Sequence, residues 1–178
     1  LLRFNSSISE DSSTDVTLKD YVSRMREGQK DIFYVTGGSR EAILHNPNLE
    51  YFRRQGLEVL FLTDQIDDFM VVDLRDYDGK TLKNISQGDI DGINDSDMSA
   101  AESSLSKEEK NDILAFFKKQ LKDRVSEVAD SKRLVDSPCS LVTTKDGMTA
   151  QMEKMMKMMN DKFQGEKRNL EVNMGHPI

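Results

Sequence analysis

The sequence has a single cysteine, Cys139, and no tryptophan among its 178 residues. One thiol cannot form a disulfide framework or a thiolate metal cage within the chain, and this favours a reducing compartment, the cytoplasm or an organellar matrix. No apolar run approaches the roughly 18 residues that a membrane-spanning helix needs, and the short apolar start is no signal peptide. We therefore expect no membrane span and no disulfide framework.

Positive charge is in deficit. The chain has 25 lysines and arginines against 32 aspartates and glutamates, which gives a formal net charge of −7 and a pI near 4.9. Nucleic acid or an anionic membrane surface would repel such a chain, so a protein partner is the better expectation. An initiator methionine is also absent and the sequence opens in mid-pattern at Leu1, so we expect a segment of a longer protein.

The first part of the chain alternates between strand and helix signals. Residues 31–36 and 57–63 are β-rich apolar runs, and the second is apolar enough to be a strand covered on both faces. Ser39 can cap a helix that follows the first run. This alternation predicts a parallel sheet with flanking helices over residues 1–86.

Two capping boxes mark helix starts, because a Ser or Thr hydroxyl and an acidic side chain three residues later satisfy each other's backbone N–H groups. They are Thr17 with Asp20 and Ser106 with Glu109. A further helix should follow Asp64. We expect its buried face to carry Ile66, Phe69, Met70 and Leu74, and its wet face Asp67, Asp68 and Asp73.

Residues 87–105 are acidic, small and aperiodic, so we expect a flexible connector there. A second α/β unit should occupy residues 106–178. Its elements are predicted as a helix with a stripe of Ile113, Leu114, Phe117 and Leu121, strands at 125–129 and 139–143, a helix over 148–163 and a strand at 170–172. The fold class is therefore α/β, two small units joined by an acidic connector. Cys139 opens an apolar strand, so we expect its thiol to be buried and slow to react.

Three features suggest chemistry, but none forms a complete motif. Residues 37–39, Gly-Gly-Ser between a strand and a helix, match neither nucleotide-binding fingerprint, so a plain turn is the better interpretation. The acidic cluster at 89–97 lacks both a third-position oxygen ligand and the turn glycine of a calcium loop, so we interpret it as a solvated connector. His45 and His176 lie far apart in sequence, so no catalytic pair and no metal set is predicted.

Methionine is concentrated in one place, since six of the ten methionines lie between residues 148 and 159. At 100° per residue Met148, Met152, Met155 and Met159 fall on one line of a helix, Met156 and Met158 widen it, and Phe163 extends it. Gln151, Glu153, Lys154, Lys157 and Asn160 fall on the opposite arc. Such a face is either core or an adaptable binding surface, because flexible thioethers suit surfaces that accept many partners.

At this point the sequence resembles the heat-shock protein 90 family. The resemblance covers nearly the whole chain except the connector, and its segments follow one another in the family's order. These segments are Tyr21-Val22-Ser23-Arg24-Met25, residues 31–37 (DIFYVTG), residues 57–69 (LEVLFLTDQIDDF), Asp78-Gly79-Lys80, and Arg133-Leu134 through Ser137-Pro138.

The resemblance implies that residues 1–86 are the late part of the family's middle domain and residues 106–178 the first part of its C-terminal domain. The ATP-binding domain, with ATP and magnesium, would lie upstream, and the dimerisation helices downstream. The segment itself would then be no enzyme and hold no cofactor. The parent chain would be a homodimeric ATPase whose partners are unfolded or partly folded client proteins and co-chaperones, with neither nucleic acid nor membrane among them.

In that family the helix matching residues 148–159 is amphipathic and is implicated in holding clients. The resemblance therefore implies a client-binding set of Met148, Met152, Met155, Met156, Met159 and Phe163. Eukaryotic cytosolic members usually have Gly-Trp before this helix, where this sequence has Gly147-Met148. The departure indicates a bacterial-type or organellar member, and it puts a tryptophan-based client contact in doubt.

Two other functions are compatible with the residue pattern. A small α/β nucleotide-binding domain or enzyme fits the alternation of elements, although no residue constellation supports one. A structural dimer module is the second. Titration with ATP distinguishes a nucleotide-binding domain from a chaperone segment, and a measurement of molecular size tests whether the chain is a dimer module.

Overall fold

A computed structural model of the chain describes residues 2–9, 15–88, 103–144 and 147–177. It contains two sheets with flanking helices, which confirms the predicted α/β class with two units. Most of the predicted connector, residues 89–102, lies outside the described residues. Across the four described ranges, no helix combines the length and the apolar character that a membrane crossing requires.

The first sheet has five strands. They are β1 (Asn5–Ser6), β2 (Asp31–Thr36), β3 (Leu60–Leu62), β4 (Asp76–Tyr77) and β5 (Lys80–Asn84). Their order is β1-β3-β2-β5-β4, with β2 parallel to both β3 and β5, and with β1 and β4 antiparallel at the two edges. The centre of the sheet is thus parallel, as predicted, whereas its edges make it mixed.

Three of these strands were missed by the sequence pattern for local reasons. β1 and β4 have two residues each, too few for an alternation to show. β5 has the polar sequence KTLKN and joins β4 through Asp78-Gly79, both with positive φ (52° and 70°). This pair of left-handed residues matches the tight turn that a two-residue hairpin needs.

Four helices cover the two faces of this sheet. They are α1 (Leu18–Arg24), α2 (Arg40–Leu44), α3 (Glu50–Arg54) and α4 (Asp67–Asp73). Alternate side chains of β2 and β3 enter two separate cores: Tyr34 packs with residues of α1 and α4 on one face, and Phe33 with residues of α2 and α3 on the other. The capping box of Thr17 and Asp20 is present as predicted, and Ser39 caps α2 by accepting from the Ala42 backbone N–H.

Helix α4 is turned differently from the prediction. Ile66 is 68% exposed and Phe69 43% exposed, whereas Asp68 is only 1% exposed and Val71 is buried. The helix begins at Asp67 rather than just after Asp64, whose backbone N–H instead donates to the Asp67 carboxylate at 3.1 Å. The predicted burial of Ile66 and Phe69 and the predicted hydration of Asp68 were therefore wrong.

The second unit has two helices and three strands. They are α5 (Lys107–Leu121), β6 (Val128–Asp130), β7 (Cys139–Val142), α6 (Ala150–Met159) and β8 (Asn169–Val172). The strand order is β6-β8-β7, with β8 parallel to β6 and antiparallel to β7. The capping box of Ser106 and Glu109 opens α5, whose predicted apolar stripe packs half-buried on Leu170, Val172 and Met174.

Candidate binding surface and unit interface

Helix α6 is shorter than predicted and is defined at both ends. The Thr149 hydroxyl accepts from the Met152 backbone N–H at 3.2 Å and caps its start, and the Asn160 backbone N–H closes its end on the Met156 carbonyl. The predicted extension to residue 163 ends at Asn160 because the chain leaves the helical conformation there. Phe163 therefore lies beyond the helix.

Two polar side chains hold α6 against the rest of the protein. Glu153 is buried and accepts hydrogen bonds from Arg168 and from the Glu166 backbone N–H, each at 3.3 Å. Gln151 donates its side-chain amide to the Gly37 carbonyl of the first unit at 3.2 Å. The helical pattern gave no sign of the first contact, because Arg168 arrives from another part of the chain.

The methionines of α6 are most exposed near its C-terminal end. Met158 is 71% exposed, Met159 77% and Met156 38%. Met148, Met152 and Met155 are half-buried, as is Phe163. Among the described positions of the helix, no methionine is fully buried. The six residues predicted from the resemblance thus lie on or next to one surface, and Met158, omitted from that set, is among its most exposed members.

A cleft of about 390 Å³ separates α6 from the first unit. Its α6 wall carries Met152, Met155 and Met158, and its opposite wall carries the carboxyl ends of β2 and β3 together with Asp68 of α4. Exposed apolar side chains at helical spacing, Ile66, Phe69 and Val72, lie on or beside α4. The sequence pattern identified Ile66 and Phe69 as apolar but assigned them to the buried face of the helix, and it did not include Val72.

Asp68, in the wall of the cleft, is a buried acidic residue. Burial raises the pKa of its carboxyl, and the nearby hydroxyls of Thr149 and Thr36 offset this effect only in part. Neither carboxylate oxygen has a hydrogen-bond partner of ordinary length. An ionised carboxylate in this position is costly, because burial removes its hydration without a full replacement.

The two units meet at a buried arginine. Arg133 donates to the carbonyls of Ile85 at 2.6 Å and Gln87 at 2.8 Å, both at the end of the first unit. Its other terminal nitrogen donates to the Glu171 carboxylate at 2.7 Å, and Ser131 donates to the same carboxylate at 2.8 Å. One guanidinium therefore joins the strand β8 to the backbone that follows β5.

A second joint lies at Glu50, the first residue of α3. Its carboxylate accepts from the backbone N–H groups of Val135, Asp136 and Ser137 at 2.8, 2.9 and 3.2 Å, and also from the Ser137 hydroxyl. Partial burial by itself raises the pKa of Glu50, but the hydrogen bonds from Ser137, Val135 and Asp136 outweigh it and hold the pKa below its ordinary value. The ionised carboxylate is thus the form that binds the second unit.

The glycine pair of residues 37–38 lies at the edge of this cleft but forms no phosphate-binding loop. The Gly37 backbone N–H donates to the Leu62 carbonyl, and a Cβ at Gly37 would lie 2.5 Å from Ile43, so residues 37–39 form a tight turn. In the part of the chain that the structure describes, no group of His, Cys, Asp or Glu could hold a metal ion. The acidic cluster at 89–97 lies outside those residues.

Cys139 is exposed, so the prediction of a buried thiol was wrong. Side chains alternate along β7, where Ser140 and Val142 are buried while Cys139 and Leu141 point away from the protein. An apolar run predicts a strand, but it does not predict which of the two faces of that strand is buried.

Comparisons with known proteins match the chain along its whole length. A sequence model of the Hsp90 protein family matches residues 1–178. Chaperone protein HtpG of Geobacter sulfurreducens is 43% identical over 180 residues, which cover 100% of this chain and 28% of that protein. HtpG of Chlorobaculum tepidum is 44% identical over 183 residues, with the same two shares. The chain therefore spans less than a third of the length of these relatives.

Proposed function

Because the chain belongs to the Hsp90 protein family, we propose that it is a segment of an ATP-dependent molecular chaperone with two tasks. It binds unfolded or partly folded client proteins, and it couples the late middle part of the protein to the start of its C-terminal part. ATP, magnesium and the homodimer contacts belong to other segments. The protein works in the cytoplasm or an organellar matrix, and its net charge of −7 disfavours nucleic acid as a partner.

The described residues do not fit a nucleotide. Gly37 and Gly38 follow a strand, where backbone N–H groups can hold phosphate, but the Gly37 N–H already donates to Leu62 at 3.0 Å. The helix that follows has five residues and its N-terminal hydroxyl, Ser39, is engaged with Ala42. We therefore assign no step of ATP chemistry to this segment.

The exposure of the α6 methionines is the observation that supports client binding. Fully burying a methionine contributes about 1.5 to 3 kcal/mol, so a fold that leaves Met156, Met158 and Met159 in water forgoes that stabilisation. A contiguous apolar surface of this kind is typical of sites that bind other proteins. Thioethers adapt to many shapes, which suits clients that share no sequence.

The anchoring of α6 explains how its apolar side stays available. Glu153 and Gln151 hold the helix by hydrogen bonds, and Thr149 caps it. The three most exposed methionines, Met156, Met158 and Met159, take no part in these bonds. The cleft beside it extends the surface to the first unit, through Thr63, Gln65 and Asp68.

Introducing charge on this surface tests the proposal. Met158→Glu with Met159→Glu, made in the full-length protein, should leave the circular dichroism spectrum and melting temperature nearly unchanged, because both side chains are in water. Suppression of aggregation of an unfolded substrate should fall. The control is Gln164→Glu, which adds a charge at an exposed position beyond α6. Undiminished client capture by the double variant would show that the surface does not bind clients.

The coupling task is supported by the two joints between the units. Arg133 and Glu50 join them through charge-assisted hydrogen bonds to backbone groups, and such bonds fix direction as well as distance. A movement of the first unit is therefore passed to β8 and the 135–137 loop. Distances between labels on the two units, measured through the ATPase cycle of wild type and Glu50→Gln, test whether this coupling depends on the joint.

A further inference from the structure

The exposed methionines of α6 are also the most accessible thioethers among the described residues. Met158 and Met159 are 71% and 77% exposed, Met25 and Met70 are partly buried in the first core, and Met174 is buried at 6%. Oxidants reach sulfur in proportion to its exposure. We propose that Met158 and Met159 are a redox modification site, at which oxidation to sulfoxides by peroxide or hypochlorous acid reversibly stops client binding.

The chemistry at each site is an oxygen transfer. A lone pair on the thioether sulfur attacks one oxygen of hydrogen peroxide, the O–O bond breaks, and a sulfur–oxygen bond forms. The sulfur is oxidised by two electrons, and the other peroxide oxygen leaves as hydroxide and becomes water by taking up the proton that the transferred oxygen gives up. Methionine sulfoxide reductases reverse the change with electrons from thiols.

The placement of α6 makes this change act on binding and leaves the fold intact. The contacts that hold the helix, Glu153 with Arg168 and Gln151 with Gly37, contain no sulfur, and Met158 and Met159 are exposed. A sulfoxide on Met158 or Met159 therefore stays hydrated in the free protein. When a client covers it, the polar oxygen loses its water without gaining a partner, and this opposes binding.

Exposure also sets the order in which the sulfur atoms react. Met158 and Met159 should be oxidised at the lowest dose, the half-buried Met152 and Met155 later, and Met174 last. Cys139 is exposed and competes for the same oxidants, so the measurements belong in a Cys139→Ser background. With that change, an effect of oxidant on client capture no longer arises from the thiol.

The experiment treats the full-length Cys139→Ser protein with increasing hydrogen peroxide and maps sulfoxides by mass spectrometry. Capture of reduced, carboxymethylated α-lactalbumin is measured on the same samples. Capture should weaken by at least about tenfold, which the loss of one buried methionine already implies, when Met158 and Met159 are oxidised and Met174 is not. The two sulfoxide reductases should restore it.

The matched control replaces Met158 and Met159 by leucine, which keeps an apolar surface without sulfur. Its capture before treatment is its own reference, and peroxide should leave that capture unchanged. An equal loss in the leucine variant, or full sulfoxide formation with unchanged capture, would overturn the proposal. The inference rests on the proposed client surface, and separate experiments test the two proposals. Untreated Met158→Glu with Met159→Glu tests whether the surface binds clients, whereas the sulfoxide map tests whether Met158 and Met159 are the oxidised residues.

Discussion

The two units are held together in different ways. The first has two clusters of nine buried residues, one on each face of its sheet, whereas the described part of the second has one cluster of three, with α5 only half-buried against it. The second unit relies instead on a buried network of Arg133, Glu171 and Ser131 that reaches into the first unit. The unit that carries the exposed methionines is thus the one whose structure depends on its neighbour.

Of the changes considered, removing the charge of Arg133 should produce the largest difference in stability between the two units. Arg133→Met leaves Glu171 buried and unpaired, and takes the donors from two carbonyls, so the second unit should lose about 3 to 5 kcal/mol of stability. The first unit, with its own cores, should stay folded. Hydrogen exchange followed by mass spectrometry reports the two units separately.

An exposed ion pair of the same unit is the control. Lys110→Met breaks the pair with Asp130, in which both side chains are about a third exposed, and should cost under about 1 kcal/mol. Adding Glu171→Met to Arg133→Met should recover part of the lost stability, because the unpaired charge is gone. If hydrogen exchange became equally faster in both units of Arg133→Met, the second unit would not depend on this network more than the first does.

The joint at Glu50 should give an intermediate effect that depends on pH. The folded-state pKa of Glu50 lies below its ordinary value near 4.5, so its contribution is complete above that value and is lost as pH falls through the folded pKa. Glu50→Gln should therefore cost about 1 to 2 kcal/mol at pH 7, allowing for solvent screening, and less at pH 3, which lies below the ordinary value.

Urea unfolding of wild type and Glu50→Gln across this pH range measures the difference. Glu41→Gln is the control, because Glu41 is also near a helix start but makes no contact with the second unit among the hydrogen bonds of α2. A stability difference for Glu50→Gln that is the same at pH 3 and pH 7 would show that the ionised carboxylate is not what binds the 135–137 loop.

Local signals predicted the centre of the first unit well. β2 was predicted as residues 31–36 and runs over Asp31–Thr36, because a strand buried on both faces is apolar at nearly every position. Both capping boxes were confirmed, since a cap is a contact between residues three apart. These features need no information from elsewhere in the chain.

The candidate surface was only partly predictable, because some of its contacts join residues that are distant in sequence. Helical spacing placed the α6 methionines on one side, but it assigned Asp68 to water and gave no sign that Glu153 is buried, because it ranks side chains by apolarity alone. Arg168, which pairs with Glu153, comes from beyond the helix, and Glu50 meets Val135 across 85 positions of sequence. Contacts of that range leave no periodic trace in either partner.

Replacing Asp68 should have a smaller effect on stability than replacing Glu50, and it should stabilise the protein. Its carboxyl is buried without a full partner and its pKa is raised from the ordinary 3.8, so the cost of ionising it is complete above the folded pKa and disappears as pH falls below 3.8. Asp68→Asn should therefore stabilise the protein by about 1 kcal/mol at pH 7. Thermal unfolding at pH 7 and pH 4 measures the gain, which should shrink at the lower pH. Destabilisation at pH 7 would mean that the carboxylate has a partner that the fold requires.

The smallest effect is expected at Cys139, on the open side of β7. Because the thiol is exposed, Cys139→Ser should change stability by less than about 0.5 kcal/mol, as for most surface substitutions. The native protein should react with a thiol reagent at a rate close to that of the urea-unfolded chain. Ser140→Cys in the Cys139→Ser background is the matched control, since its neighbour Ser140 points inward and is buried. A thiol at 140 should react much more slowly than one at 139. If the two positions react alike, β7 does not alternate as described, and the second unit is looser than its half-buried core already implies.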